Sequence, residues 1–191
     1  MEKSPKPQLK ENYDLIRSGW VKYFNKDWKK VLDWTTNPST GYAYDVNKHW
    51  TEVEDLSKVA GDIKFVWEKS RFSWLYSIIR QDHHFDTDSS SFVLAEMESW
   101  MEANPINMGP NYKCSQEISL RCLNWIFALY FYKDSEALTE HRWQKIIHFI
   151  YWQIRHVYSN INFSRICVRN NHAITECMMV YLGGLLFPSF K

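Results

Sequence analysis

Glu117, Arg121 and Asn124 stand at i, i+4 and i+7 in an otherwise strongly apolar stretch, so on a helix they share one face. Such a polar stripe faces either solvent or a polar cavity. Facing solvent, Glu117 and Arg121 form an ordinary i, i+4 pair worth about 0.2–0.5 kcal/mol. Facing a cavity, the planar fork of Arg121 can grip a carboxylate or sulfate through two parallel bonds. A second group, Arg169-Asn170-Asn171-His172, directly precedes an apolar run. Either asparagine can cap a helix there, and His172 lies four residues before Glu176, a spacing at which a hydrogen bond would fix the imidazole tautomer. A third group is Trp67-Glu68 with Arg71, where the acidic residue also suits the first turn of a helix. Glu68 and Glu117 are the candidates for the two carboxyl groups that glycoside hydrolysis requires, although sequence alone does not bring them together. His83-His84, between Asp82 and Asp86, matches no standard metal-ligand spacing and reads as a solvated connection.

The elements that must position these groups are helical by pattern. Apolar positions from Lys10 to Trp34 predict a first helix, followed by a turn-rich loop over 35–41. Residues 70–81 predict a second helix, with Asp82-His-His-Phe-Asp86 as the connection after it. Thr, Asp and Ser over 86–90 predict a third start, and the Asn104-Pro105 pair an end, since proline disfavours helix at the residue before it. The clearest face belongs to a fourth helix: Ile118, Cys122, Trp125, Leu129 and Tyr132. Trp143, Ile147, Ile150, Ile154 and Val157 repeat that spacing from Thr139 onward. Residues 159–170 read as an irregular loop, and a last helix runs from about Asn171 to Leu186, broken or ended by Gly183-Gly184 and Pro188. The fold class expected is all-α, with hairpins of about forty residues, arranged as an incomplete α/α toroid of antiparallel helical hairpins or as an irregular bundle.

Composition narrows the function classes. The chain has 191 residues, 45% hydrophobic and 17% aromatic, enough for a folded core and unlike a disordered segment. Ten Trp, eleven Tyr and eleven Phe build a core for the most part, while a few could line a cleft that stacks on sugar rings. The formal net charge of +1 supplies no global basic field, so nucleic acid is not an expected partner, though a local basic cleft remains open to an anionic polymer. Cys114, Cys122, Cys167 and Cys177 form no CxxC pair, which argues against a zinc ribbon or thioredoxin-type site; reduced thiols are expected, with one disulfide left open. The first residues, Met1-Glu-Lys-Ser-Pro-Lys-Pro7, lack the apolar core of a signal peptide. The longest apolar runs, 125–132 and 178–187, are too short or too broken for a membrane span. Residues 1–9 are expected to be flexible, and localisation is open.

Several segments resemble one family. Asp62-Ile-Lys-Phe-Val-Trp-Glu-Lys-Ser-Arg71 is similar to the D-I-K-x-x-W-E-x-x-R stretch of heparinase II/III-like proteins. Trp100-Met-Glu-Ala-Asn-Pro-Ile-Asn-Met-Gly-Pro-Asn-Tyr112 resembles their W-x-x-x-N-P-x-x-x-G-x-N-W stretch, with Tyr112 where the family often has Trp. Ser115-Gln-Glu-Ile-Ser-Leu-Arg-Cys-Leu-Asn-Trp125 resembles their S-x-E-x-x-x-R-x-x-x-W helix. Asn170-Asn-His172, followed by Gly184-Leu-Leu-Phe-Pro188, resembles their N-N-H segment and its G-L-L-F-P end. The matches run in order over roughly residues 60–188. The resemblance implies that residues 1–191 are the N-terminal α/α toroid of a longer polysaccharide lyase, followed by a C-terminal β-rich domain of the same protein. It implies β-elimination on uronic-acid polysaccharides such as glycosaminoglycans, without a cofactor or a metal. Carried over by position, Asn171, with Asn170 second, would neutralise the uronate carboxylate, and His172 would assist binding or proton transfer. Arg121, Glu117, Asn111, Tyr112, Arg71, Trp67 and Asn170 would line the substrate cleft. The family's acid and base lie downstream of the Asn-Asn-His segment, which would place them past Lys191. Alternatives are a non-catalytic acidic-glycan-binding module and a helical protein-interaction scaffold.

Overall fold

A computed structural model describes residues 7–31, 33–54 and 56–190 of the chain. These are mostly helical. The first helix, α1 (Pro7–Arg17), opens on a proline, whose fixed φ suits the first helical position, and it buries Leu9 and Ile16. Of the residues expected to be flexible, 7–9 thus form its first turn, and 1–6 lie outside the described residues.

The long helix expected over 10–34 stops at Ser18-Gly19. Gly19 adopts φ +85° and donates its N–H to Ile16 O at 2.9 Å, a left-handed stop that glycine takes without steric cost. A hairpin comes next, β1 (Trp20–Tyr23) with β2 (Asp27–Lys30), paired antiparallel with Trp20 opposite Lys30 and Tyr23 opposite Asp27. Val21 and Tyr23 point inward and Lys22 outward, a period of two that overrides the helical reading of the same apolar residues. A smaller pair, β3 (Leu56–Ser57) and β4 (Gly61–Asp62), comes after the turn-rich segment. The fully buried Asn37 ties the two, donating from Nδ2 to Ala60 O at 2.7 Å and Asp62 O at 3.1 Å.

The helix expected over 70–81 is two helices, α2 (Lys64–Ser70) and α3 (Leu75–Phe85). The break is at Phe72, which takes φ 61°. A left-handed non-glycine residue costs roughly 1–2 kcal/mol. Full burial of the Phe72 ring, stacked 5.1 Å from Trp34 and edge-on 5.4 Å from Trp125, offsets that by roughly 1.5–3 kcal/mol. Helix α3 continues through Asp82-His83-His84-Phe85, read from sequence as a connection, and ends at the left-handed Asp86. Asp82 gathers three helix ends. Its carboxylate accepts from Ser89 N and Oγ (2.8 and 2.9 Å), from Thr87 Oγ1 (2.8 Å) and from Tyr132 Oη (2.7 Å).

Helix α4 (Ser90–Ala103) ends before Asn104 as its sequence predicts. A single 3-10 turn, Pro110–Tyr112, leads into α5 (Ser115–Phe131), whose expected face is buried at every position. Helix α6 (Glu140–Asn162) starts on Thr139, whose hydroxyl accepts from Arg142 N. It runs four residues into the expected 159–170 loop and then widens into a π-turn, Phe163–Val168. Helix α7 (Asn171–Leu186) passes through Gly183-Gly184 instead of breaking there. A Cβ on Gly183 would lie 2.7 Å from Ile154 Cδ1, so this glycine lets α6 and α7 approach closely.

Tyr112, ahead of α5, meets His156, and Arg121 further on meets the earlier Gln153 of α6; Ser164, just past α6, meets Glu176, and the earlier Ile154 meets the later Gly183 of α7. The three helices therefore run antiparallel in sequence, and α5 and α7 begin at the same end. Among the described residues no helix is long and apolar enough to cross a membrane.

Candidate functional site

The stripe Glu117–Arg121–Asn124 faces neither solvent nor an open cleft, because all three side chains are buried. Glu117 does not pair with Arg121. It grips Arg71 across the α2–α5 contact, accepting from Nε at 2.7 Å and Nη2 at 2.9 Å. Glu68, three residues before Arg71, accepts from Nη1 at 3.0 Å. Burial opposes the Arg71 charge, and the Glu117 bonds outweigh it, holding the guanidinium still more firmly protonated. Asn124 completes the cluster, donating from Nδ2 to Arg71 O (2.7 Å) and accepting from Tyr76 Oη (2.8 Å). One guanidinium thus occupies both Glu117 oxygens and one of Glu68. The two carboxylates are brought together, but as a clamp on Arg71, with no Glu117 oxygen left to protonate a leaving group.

Arg121, Asn111 and Tyr112, expected to touch substrate, are interior residues at 1%, 0% and 0% exposure. Arg121 donates from Nε to Gln153 Oε1 at 2.6 Å and from Nη2 to Asn111 O at 3.1 Å. Its guanidinium carbon lies 4.1 Å above the Trp100 ring. Burial lowers its pKa, yet arginine stays charged in proteins, so a cation is held here by a ring face, an amide and a carbonyl. Asn111 donates to Trp34 O (2.9 Å) and to Asn104 Oδ1 (2.8 Å). Trp67, also buried, donates from its indole to Pro110 O at 2.8 Å. In this structure all four are buried and packed or bonded within the protein, where they serve as scaffolding. They fasten the 3-10 turn at Pro110–Tyr112 to α2, α5 and the Trp34 loop.

The mouth of α7 is different. Asn170 is the N-cap, its Oδ1 accepting from His172 N at 2.9 Å. Asn171, the first helical residue, is exposed, and its amide is not spent on capping. His172 Nδ1 stands 3.9 Å from Glu176 Oε1, an i, i+4 neighbour beyond hydrogen-bond reach. Glu176 is buried and also accepts from Ser164 Oγ at 2.7 Å; burial pushes its carboxyl up against the pull of Ser164 and His172. Cys114, the N-cap of α5, links the two clusters. Burial pushes its thiol up to about 11, and the charges of Glu117 and Glu176 both add to that, so it is no nucleophile near neutral pH.

Compared with protein-family models, with curated proteins and with solved structures, the chain matches none.

The end of the helical array shared by α5 and α7 therefore holds the clamped, mostly buried Arg71, an exposed Asn171 side chain and a half-buried His172 near Glu176. Sequence reasoning missed Ser164, assigned to a loop, and Gln153, whose inward aim is signalled by its i+3 and i−4 distances from Ile150 and Val157 on the buried face of α6. Asp82-His83-His84 holds no metal-like group: among the described residues no three His, Cys, Asp or Glu side chains cluster to hold an ion. All four cysteines are free thiols, with Cys167 and Cys177 exposed.

Proposed function

We propose that this chain is the helical, acidic-glycan-binding part of a lyase that cleaves uronic-acid polysaccharides by β-elimination. The observation that carries the reading is the division of labour at the α7 mouth. Asn170 caps the helix and leaves the neighbouring Asn171 amide exposed, beside an imidazole that stands 3.9 Å from a buried carboxylate. In β-elimination a base takes the C5 proton of the uronate, the C4–C5 double bond forms and the C4 oxygen leaves with a proton from an acid. Negative charge grows on the C5 carboxylate as the proton departs. An amide N–H aimed at that carboxylate stabilises the enolate, and one such donor is typically worth about 10²–10³ in rate. The ordered resemblance over residues 60–188 supplies the reaction and puts the acid and base in a later segment.

The antiparallel α5–α6–α7 array is compatible with the opening hairpins of an α/α toroid. On α7, Ile174, Met178, Tyr181 and Leu185 form an exposed apolar stripe at i, i+4, i+7 and i+11. Another helical layer, or a β-rich domain of the same protein, would cover it. The same stripe favours a second reading, a helical scaffold that binds protein through this face.

The test is binding of the chain to heparan sulfate, hyaluronan and alginate across a salt series, with Asn171→Ala beside it. In a protein extended to carry the acid and base, unsaturated uronate is followed by its ultraviolet absorbance. Asn171→Ala should fold normally and lose about 10²–10³ in turnover. Undiminished turnover removes Asn171 from the site, and absence of glycan binding with capture by a protein partner at the α7 stripe favours the scaffold.

A further inference from the structure

Away from the α7 mouth, the end of α1, the β1–β2 hairpin, α2 and α4 enclose a cavity of about 250 Å³. Its inner wall carries Lys69, only 9% exposed. Among the described residues its ammonium reaches one acceptor, Asp33 O at 3.2 Å, and the face of Trp34 at 3.9 Å. An ammonium has three donors, so two remain for the cavity. Arg17 and Lys30 add two exposed cations at the rim, Arg17 lying 4.3 Å above the Phe92 ring. Glu96 is the single carboxylate in the lining, and among the described residues it makes no ion pair with Lys69. Three cations against one carboxylate, between aromatic walls that keep the local dielectric low, make a pocket for an anion.

We infer that this cavity binds a small hydroxylated acid of about monosaccharide size, its anionic group held by Lys69 and Arg17 and a hydroxyl donated to Glu96. The residues support both halves. A naked inorganic anion would meet the Glu96 carboxylate as well as the cations, whereas a hydroxy acid gives that carboxylate a donor. Burial pushes the Glu96 carboxyl up and the Lys69 ammonium down, each against the pull of the other's charge. Arg17, Lys30, Lys69 and Glu96 are all distinct from the residues of the α7 mouth, so the inference stands independently of the lyase reading.

Calorimetric titration of the whole chain with sodium glucuronate, its methyl ester and glucose tests it. Glucuronate should bind, and the two neutral sugars should bind at least about tenfold more weakly, the scale of one lost charge-assisted bond. Lys69→Met should cost at least about tenfold in glucuronate affinity, and Glu96→Gln should narrow the preference for glucuronate over a deoxy analogue. If Lys69→Met fails to fold, the exposed Arg17→Gln decides, with a weakening expected. An Asn171→Ala background removes any uronate held at the α7 mouth, and the Lys69-dependent site should still be seen in it. No binding of glucuronate, equal binding of its ester, or unaltered affinity in folded Lys69→Met or Arg17→Gln overturns the inference. Loss of binding in Asn171→Ala also overturns it, by moving the ligand to the α7 mouth.

Discussion

Replacing Glu117 by Gln keeps the volume and removes the charge that holds Arg71. Two bonds of 2.7 and 2.9 Å to the guanidinium are at stake, between side chains 25% and 9% exposed. Breaking a fully buried pair by removing one partner costs about 3–5 kcal/mol. Arg71 keeps Glu68 and part of its hydration, so that range scales down to about 2 kcal/mol. With a urea dependence of about 2 kcal/mol per molar, the unfolding midpoint should fall by about 1 M. Glu68→Gln, which removes the charge from a single contact and keeps a carbonyl acceptor, should cost less, about 1 kcal/mol. A double-mutant cycle with Arg71→Met isolates the pair and should return a coupling of about 1.5–3 kcal/mol. A midpoint shift below about 0.3 M, or a coupling near zero, would refute the clamp as the link between α2 and α5.

Acid should destabilise the chain through His156, whose pKa is lowered to about 4 by burial first and then by Arg121 and His49. Unfolded, the imidazole titrates near 6.5, so the unfolded state binds the extra proton first. Stability from this group is complete above pH 6.5 and falls by up to about 3 kcal/mol toward pH 4; chemical denaturation across that range, with His156→Gln as the flattened control, checks it. Gly183→Ala should destabilise by about 1–2 kcal/mol, since its Cβ meets Ile154 at 2.7 Å, while Gly184→Ala, with open space around it, should gain about 0.5–1 kcal/mol from helix propensity; thermal melts compare the two. A thiol reagent at neutral pH should titrate Cys167 and Cys177 quickly, with Cys122 reacting only on unfolding.

The later half of the chain was more legible than the first. The faces of α5 and α6 span four or more turns, so a 3.6-residue rhythm has room to declare itself. In the segment 10–34, Trp20, Tyr23 and Trp28 fit a helix as well as a hairpin, and a single backbone choice at Gly19 decides between them. Phe72 hides its break for a related reason, since only the Trp34 and Trp125 rings from distant parts of the chain make a left-handed phenylalanine worthwhile. At the site, the helix face shared by Glu117, Arg121 and Asn124 was readable, but its partners were not. Arg71 caps the end of α2 and Gln153 belongs to α6, so the stripe divides between two neighbours. The relation of His172 to Glu176 was legible because both partners lie on one helix.

The carboxylate of Asp82 accepts hydrogen bonds from the start of α4 and from Tyr132 at the end of α5 while itself belonging to the last turn of α3. Helix ends ordinarily fray one at a time. Here a single anion is shared by three of them, so none can loosen without stranding the others' donors away from water. Amide exchange at these ends should accordingly report one common opening rather than three separate ones, and the corner they form should be among the last parts of the molecule to let go.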